Sequence, residues 1–334
     1  MNRSGFFQQI AIGAIGATFL PKQAMGAFIN PGQTSELFYT GSYTQTPGDG
    51  ISVCSFDPQN GFIALVDVCR NVTNPSFLAF GYARNFVYAV NETGDSGGKD
   101  SGSVSAFRRD KKTGMLHFLN SQPSLGAHPC HVTTDRTGRF VLVANYTGGN
   151  VTVLPVLPDG RIGDPADSVQ HTGKSVNAGR QEGPHAHSVN LSPDNRFAFV
   201  CDLGIDKIMI YRFDQKTGKL SPAEIPYFQA APGAGPRHFT FSKNGENAFV
   251  VNELHSTISS FRYDAAKGFL TGLQTISTLP DGLTTENTCA DVHVHPNGRF
   301  VYASNRGNDS IAAFSIEQGS ARLFIPPLGV IFGV

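Results

Sequence analysis

Residues 183–188 read GPHAHS and set two imidazoles, His185 and His187, one residue apart just ahead of an apolar run. An imidazole can exchange a proton near neutral pH, ligate a metal, or simply pack. Further along the chain stand His131, the adjacent Arg237 and His238, Glu253 and Arg306. Guanidinium forks bind carboxylate or phosphate in a bidentate way and stabilise developing oxyanions. A carboxylate or a neutral imidazole can take the proton of an attacking water. Together these residue types can move a proton and hold an anion. For any one of these histidines a satisfied structural role stands as an equal alternative. What matters is whether the fold gathers them.

The elements that would position them repeat. FVYAVNE (86–92), FVLVANY (140–146), FAFVCDL (197–203), AFVVNEL (248–254) and FVYASNR (300–306) are apolar, β-branched and aromatic runs that reach an Asn or Asp. The anchors Asn91, Asn145, Asp202, Asn252 and Asn305 lie 54, 57, 50 and 53 residues apart. LFYTGSY (37–43) is a weaker first copy. Turns with Asn/Asp and Gly precede several runs, as in DRTGR (135–139), SPDNR (192–196), SKNGE (242–246) and HPNGR (295–299). Further strands follow, such as KIMIYRFD (207–214) and TISSFRYD (257–264), and no long amphipathic helix interrupts them. Short antiparallel strands in units of about fifty residues predict an all-β fold, a β-propeller.

Equivalent positions in a propeller surround one channel. About fourteen residues before the anchors lie Phe77, His131, Ser188, His238 and Asp291, and one residue earlier Ser76, Cys130, His187, Arg237 and Ala290. Just after the anchors lie Glu92, Tyr146, Leu203, Glu253 and Arg306. These columns predict that charged and imidazole side chains from several blades meet at one mouth.

Three stretches carry a resemblance: PHAHSVNLSPDNRFAFVCDLGIDKIMIYRFD (184–214), GAGPRHFTFSKNGENAFVVNELHSTISSF (233–261) and ADVHVHPNGRFVYASNRGNDSIAAF (290–314). With GPRH, VNEL and SNRG in this order and spacing, residues 36–318 resemble the seven-bladed β-propeller lactonase family. Its members include propeller-type 6-phosphogluconolactonases and carboxy-muconate lactonising enzymes. The resemblance implies a propeller with six recognisable repeats here, the last blade of the family pattern being missing, and a divergent tail at 319–334. It implies a channel-mouth site in which His187, Arg237, Glu253 and Arg306 are catalytic. His131, His185, His238, Asn145 and Asn305 are expected beside them as substrate-binding residues. Either His187 or Glu253 would serve as base, and the arginines would hold the oxyanion or an anionic substituent. The expected activity is hydrolysis of a sugar lactone, as in a 6-phosphogluconolactonase, with no cofactor and no metal. Ring closure of a carboxy-muconate would use the same groups, and a non-catalytic binding propeller is a third reading. A zinc site at His131, His187 and His238 lacks any spacing that fixes tetrahedral geometry.

Composition narrows the partners. Lys plus Arg equals Asp plus Glu at 26 each in 334 residues, which argues against a general nucleic-acid or membrane-surface role. A small lactone or anionic sugar is the expected partner, and the oligomeric state is open. Arg3, the apolar IAIGAIGATFL (10–20) and small residues at Ala24, Gly26 and Ala27 have the layout of a secretory signal over 1–27. They predict a periplasmic or secreted protein without stable membrane association after cleavage. The five cysteines, Cys54, Cys69, Cys130, Cys201 and Cys289, are scattered and read as small buried apolar residues, with a Cys54–Cys69 bridge left open.

Overall fold

A computed structural model describes residues 36–44, 49–95, 100–283, 286–317, 319–325 and 332–333. The expected signal segment at 1–27 lies outside them. The strands form antiparallel sheets in chain order. The first holds β1 (Glu36–Thr40), β2 (Ile51–Phe56) and β3 (Ile63–Cys69), and the second β4 (Leu78–Phe80), β5 (Phe86–Asn91), β6 (Ser103–Arg109) and β7 (Leu116–Pro123). The third holds β8 (Pro129–Thr134), β9 (Phe140–Asn145), β10 (Asn150–Pro155) and β11 (Asp167–Gln170). The fourth holds β12 (Ala186–Leu191), β13 (Phe197–Asp202), β14 (Lys207–Phe213) and β15 (Leu220–Gln229). The fifth holds β16 (Pro236–Phe241), β17 (Asn247–Asn252), β18 (Thr257–Asp264) and β19 (Phe269–Ser277). The sixth holds β20 (Thr288–Val294), β21 (Phe300–Arg306), β22 (Ser310–Ile316) and β23 (Leu323–Phe324), with β24 (Phe332–Gly333) also on β22.

These six sheets are the six predicted repeats. In five of them the innermost strand precedes the anchor strand, and β4, β8, β12, β16 and β20 neighbour one another in succession. β1 is the counterpart of the anchor strands, and among the described residues no strand pairs its inner side.

Anchor strands read as unbroken apolar runs because both of their faces are covered by adjacent blades. All six residues of β13, FAFVCD, are buried, whereas the outer β15 is mostly exposed. The core accordingly lies between blades. One cluster joins sheets 4 and 5 through Phe199, Phe239, Phe261 and Tyr263, with Phe199 and Phe239 stacked at 5.2 Å and 16°. Burying one such ring contributes about 2–3 kcal/mol. Comparable clusters join sheets 1 and 2, 2 and 3, 3 and 4, and 5 and 6.

The turns between inner and anchor strands share one construction. Asp135, Ser192 and Ser242 each accept backbone N–H bonds from the far side of their turn, at 2.7–3.1 Å. A residue in the left-handed region follows: Gly138 (φ 71°), Asn195 (φ 64°), Gly245 (φ 73°) and Gly298 (φ 74°). Glycine adopts that conformation without penalty and Asn tolerates it, which is why DRTGR, SPDNR, SKNGE and HPNGR recur.

One expectation changes and one open question closes. The repeat region runs past 318, because Leu323 and Phe324 pair with Ile316 and Ser315 as the fourth strand of sheet 6. All five cysteines are free. Cys54 faces Leu65 across the ladder while Cys69 faces Ile51, so the two stand well apart along the same strand pair, too far for a bridge.

Candidate active site

Four successive inner strands break their ladder at the same point. The register skips Cys130 in β8, His187 in β12, Arg237 in β16, and Ala290 with Asp291 in β20. A bulged residue has no partner opposite it, and its side chain is re-aimed. His187 and Arg237 thereby leave the alternation of their strands and approach Glu253, the residue directly after β17. The backbone fixes Glu253 from both sides: its N–H donates to Gly235 O at 2.7 Å, and its carbonyl accepts from Cys289 N at 3.2 Å.

Glu253, 2% exposed, is the centre of the site. Arg180 Nη2 donates to its Oε1 at 2.6 Å. Arg237 Nε and Arg306 Nη2 stand 2.8 and 3.1 Å from Oε2, and His187 Nε2 stands 3.8 Å from it. The two guanidiniums near Oε2 are in ion-pair contact without hydrogen-bond alignment, so this buried oxygen accepts no hydrogen bond among the described residues. Buried unsatisfied acceptors are rare and mark functional or strained sites. Arg237 and Arg306 are held by main-chain carbonyls, those of Ala290 and Cys289 respectively.

Charge decides the protonation states. Burial pushes the Glu253 carboxyl up, but Arg237, Arg306 and Arg180 outweigh it and hold it at about 2. Burial, reinforced by Arg237 and His238, keeps His187 well below the ordinary histidine range. His131 is held well down by burial and by His238. The site at neutral pH thus offers an ionised carboxylate beside a neutral imidazole.

The predicted binding histidines surround this centre. His187 and His131 each meet His238 edge to face with centroids 5.4 Å apart, and Phe77 lies 4.3 Å from His131. His238 Nδ1 is 2.8 Å from Asp291 Oδ1. Among the described residues no group of three or more His, Cys, Asp and Glu is disposed to hold a metal ion. His185 stacks on Tyr146 at 4.5 Å and 9°, with Nδ1 3.1 Å from the Tyr146 carbonyl and Nε2 3.1 Å from Glu182 Oε1. Asn145 and Asn305 do not join the cluster. They are 0% and 3% exposed, and each donates through Nδ2 to a backbone carbonyl just past the outer strand of the preceding blade, Ser124 O and Thr278 O. Their amides tie loops to anchor strands. In Glu92, the blade-2 counterpart of Glu253, the carboxylate accepts from Tyr43 Oη at 2.8 Å and Ser76 Oγ at 2.5 Å.

Arg180 was not among the expected residues. It comes from the connection between β11 and β12, not from a strand column. That connection is built by its own bonds: Ser175 Oγ donates to Asp206 Oδ2 at 2.5 Å, and buried Gln181 donates to Leu203 O at 2.9 Å. The one available signal was the interval of 57 residues between Asn145 and Asp202, the longest in the series.

The profile of the lactonase, seven-bladed β-propeller family matches residues 37–325. A 6-phosphogluconolactonase of Bacillus subtilis is 36% identical over 87% of this chain and 80% of its own length. A 6-phosphogluconolactonase of Formosa agariphila is 32% identical over 85% of this chain and 80% of its own length. Among solved structures, the periplasmic gluconolactonase of Pseudomonas aeruginosa superposes with a TM-score of 0.80 at 29% identity, covering 90% of this chain and 89% of that one. With its six repeated sheets and a family match over most of its length, the chain belongs to the seven-bladed β-propeller lactonase family.

Proposed function

We propose that the protein hydrolyses a sugar lactone of the 6-phosphogluconolactone kind at this mouth. The observation that carries the reading is the buried Oε2 of Glu253, which accepts no hydrogen bond yet lies 3.8 Å from His187 Nε2 among arginines. The two groups are close enough for one water to bridge them once the enclosure around Oε2 opens to admit it. The water adds to the lactone carbonyl carbon and passes a proton to Glu253 or His187. Arg237 and Arg306 stabilise the resulting oxyanion. The ring C–O bond then breaks, the ring oxygen takes up that proton, and the acid formed ionises to carboxylate and a free proton. A preorganised donor of this kind typically contributes about 10²–10³ in turnover.

The names of the relatives and the family membership support the substrate class. The apolar N-terminal stretch and the periplasmic relative support an exported location, which fractionation of the cells that make the protein would check.

The test is proton release from 6-phosphogluconolactone and gluconolactone above the spontaneous rate, with the Arg237→Ala variant alongside. Acid release lost by roughly 10²-fold or more in a folded variant supports the reading. Wild-type-like release in Arg237→Ala would remove Arg237 from the chemistry. No release by the folded wild type would remove the lactonase reading.

A further inference from the structure

Among the three arginines around Glu253, Arg180 differs in where it is mounted and in what holds it. Arg237 sits on a strand bulge with its side chain 14% exposed, and Arg306 ends a strand. Both donate to main-chain carbonyls. Arg180, as exposed at 34% as Arg306, sits on a connection, and its side-chain bonds go only to side chains: Glu253 Oε1 at 2.6 Å and Tyr146 Oη at 3.3 Å, both through Nη2. Its Nε and Nη1 make no hydrogen bond among the described residues, and neither is enclosed. One edge of the fork therefore covers the carboxylate while the other faces outward.

The surrounding charge is unbalanced. Three guanidiniums surround one carboxylate, a local excess of positive charge that the Asp291 carboxylate beside His238 offsets only in part. Such a mouth concentrates anions. A carboxylate surrounded by all three arginines is a weak base. Withdrawing the one that no main-chain carbonyl holds raises the basicity of the carboxylate beside His187.

We propose that Arg180 is a displaceable cover on Glu253, and that the anionic substituent of a phosphorylated lactone draws it away. The substituent takes the outward edge of the fork in a bidentate contact, the Nη2 bond to Oε1 breaks, and Glu253, with one guanidinium withdrawn, becomes the stronger base toward the attacking water. Binding of the charged group and uncovering of the base are then one event. Arg180 is in this sense a specificity-determining residue. A neutral lactone cannot make the exchange and meets a covered site, so its apparent affinity and turnover carry the cost of opening. The inference rests on the lactonase reading and adds a substrate class to it.

The experiment compares wild type, Arg180→Ala and Arg180→Lys on 6-phosphogluconolactone and on gluconolactone. For Arg180→Ala, kcat/KM on the phosphorylated lactone falls on the order of 10- to 100-fold, the usual effect of losing a charge-assisted contact. On the neutral lactone it rises roughly twofold or more, because the cover is gone. Arg180→Lys keeps the charge without the fork and falls between; it is also the readable variant if Arg180→Ala does not fold. Opposite signs on the two substrates are the signature, since a residue that only braces Glu253 would lower both. Parallel losses, or no change on either substrate, overturn the proposal and leave the lactonase reading intact. Calorimetric titration with 6-phosphogluconate and gluconate separates the two ideas. If the wild type hydrolyses neither lactone but prefers the phosphorylated acid only while Arg180 is present, the anion-binding arm survives and the hydrolase reading fails. Equal binding of both acids sinks the arm.

Discussion

Arg237 Nε lies 2.8 Å from Oε2 of Glu253, and the same guanidinium is braced by the carbonyl of Ala290 on the next blade. One bulged residue of blade 5 thus spans the carboxylate of its own blade and the backbone of blade 6. The contact ties the chemistry to the seam between two sheets.

Glu253→Gln keeps the shape of the side chain and removes its charge. Arg180, Arg237 and Arg306 then share the mouth without a counter-ion. The expected outcome is a stability loss of about 3 kcal/mol, as for one partner removed from a buried ion pair, together with turnover reduced roughly 10²–10³-fold. Urea denaturation and initial rates measure the two separately. A variant as stable as wild type would show that the cluster is solvated well enough to stand without its carboxylate.

Stability should fall as the medium is acidified below the ordinary histidine range. His131, His187 and His238 are all lowered, in each case chiefly by burial. The unfolded chain therefore binds protons near 6.5 that the folded chain refuses, so their contribution is present above that pH and lost below it. Each such group contributes a slope of up to about 1.4 kcal/mol per pH unit. His293, raised by its bond to Asp291, works in the opposite direction, one against three. Glu253, held at about 2, adds a loss that begins only when the pH falls from its ordinary 4.5 toward 2. Urea midpoints at pH 7.5, 6 and 5 should decline in that order; a flat series would contradict burial of the three rings.

The rate profile should show no inflection at the usual histidine value. His187 stays neutral well below it, and Glu253 stays ionised to about 2. The acid limb of kcat/KM is therefore expected below pH 6.5, limited at the low end by unfolding. A limb centred at 6.5 that disappears in His187→Gln would mean that the ring titrates as an exposed one does.

Gly235 has φ 64°, and a Cβ there would meet the Leu254 side chain at 2.8 Å and that of Leu203 at 3.1 Å. Its carbonyl also holds the Glu253 N–H, and it stands two residues before Arg237. Gly235→Ala is expected to cost about 1–2 kcal/mol from the left-handed backbone alone. Activity should fall further than that loss explains, because both site residues shift. Thermal melting with rates taken well below the transition distinguishes the two; full activity in a destabilised variant would mean that the loop absorbs the strain without moving the site.

The repeat was legible because both faces of each anchor strand are covered, so runs such as FAFVCD and FVLVAN are apolar throughout and end in a polar residue. Column alignment also brought His187, Arg237, Glu253 and Arg306 together, since equivalent strand positions face one channel. It failed where position on a strand is not what counts. Asn145 and Asn305 are polar and recurrent, but their recurrence reflects a loop-tying bond to Ser124 O and Thr278 O. Arg180 has no column at all, because the reach of a connection depends on bonds such as Gln181 to Leu203 O that no periodicity records. The bulges were equally silent, one extra residue per strand being invisible without the partner strand.

Those bulges have a consequence for how such a mouth changes over time. A side chain mounted on a skipped position lies outside the ladder, so its identity is largely decoupled from the pairing that holds the blade together. Cys130, His187, Arg237 and Ala290 are four sockets of one geometry carrying four different fittings. New chemistry could enter by exchanging a fitting while the sheets remain as they are.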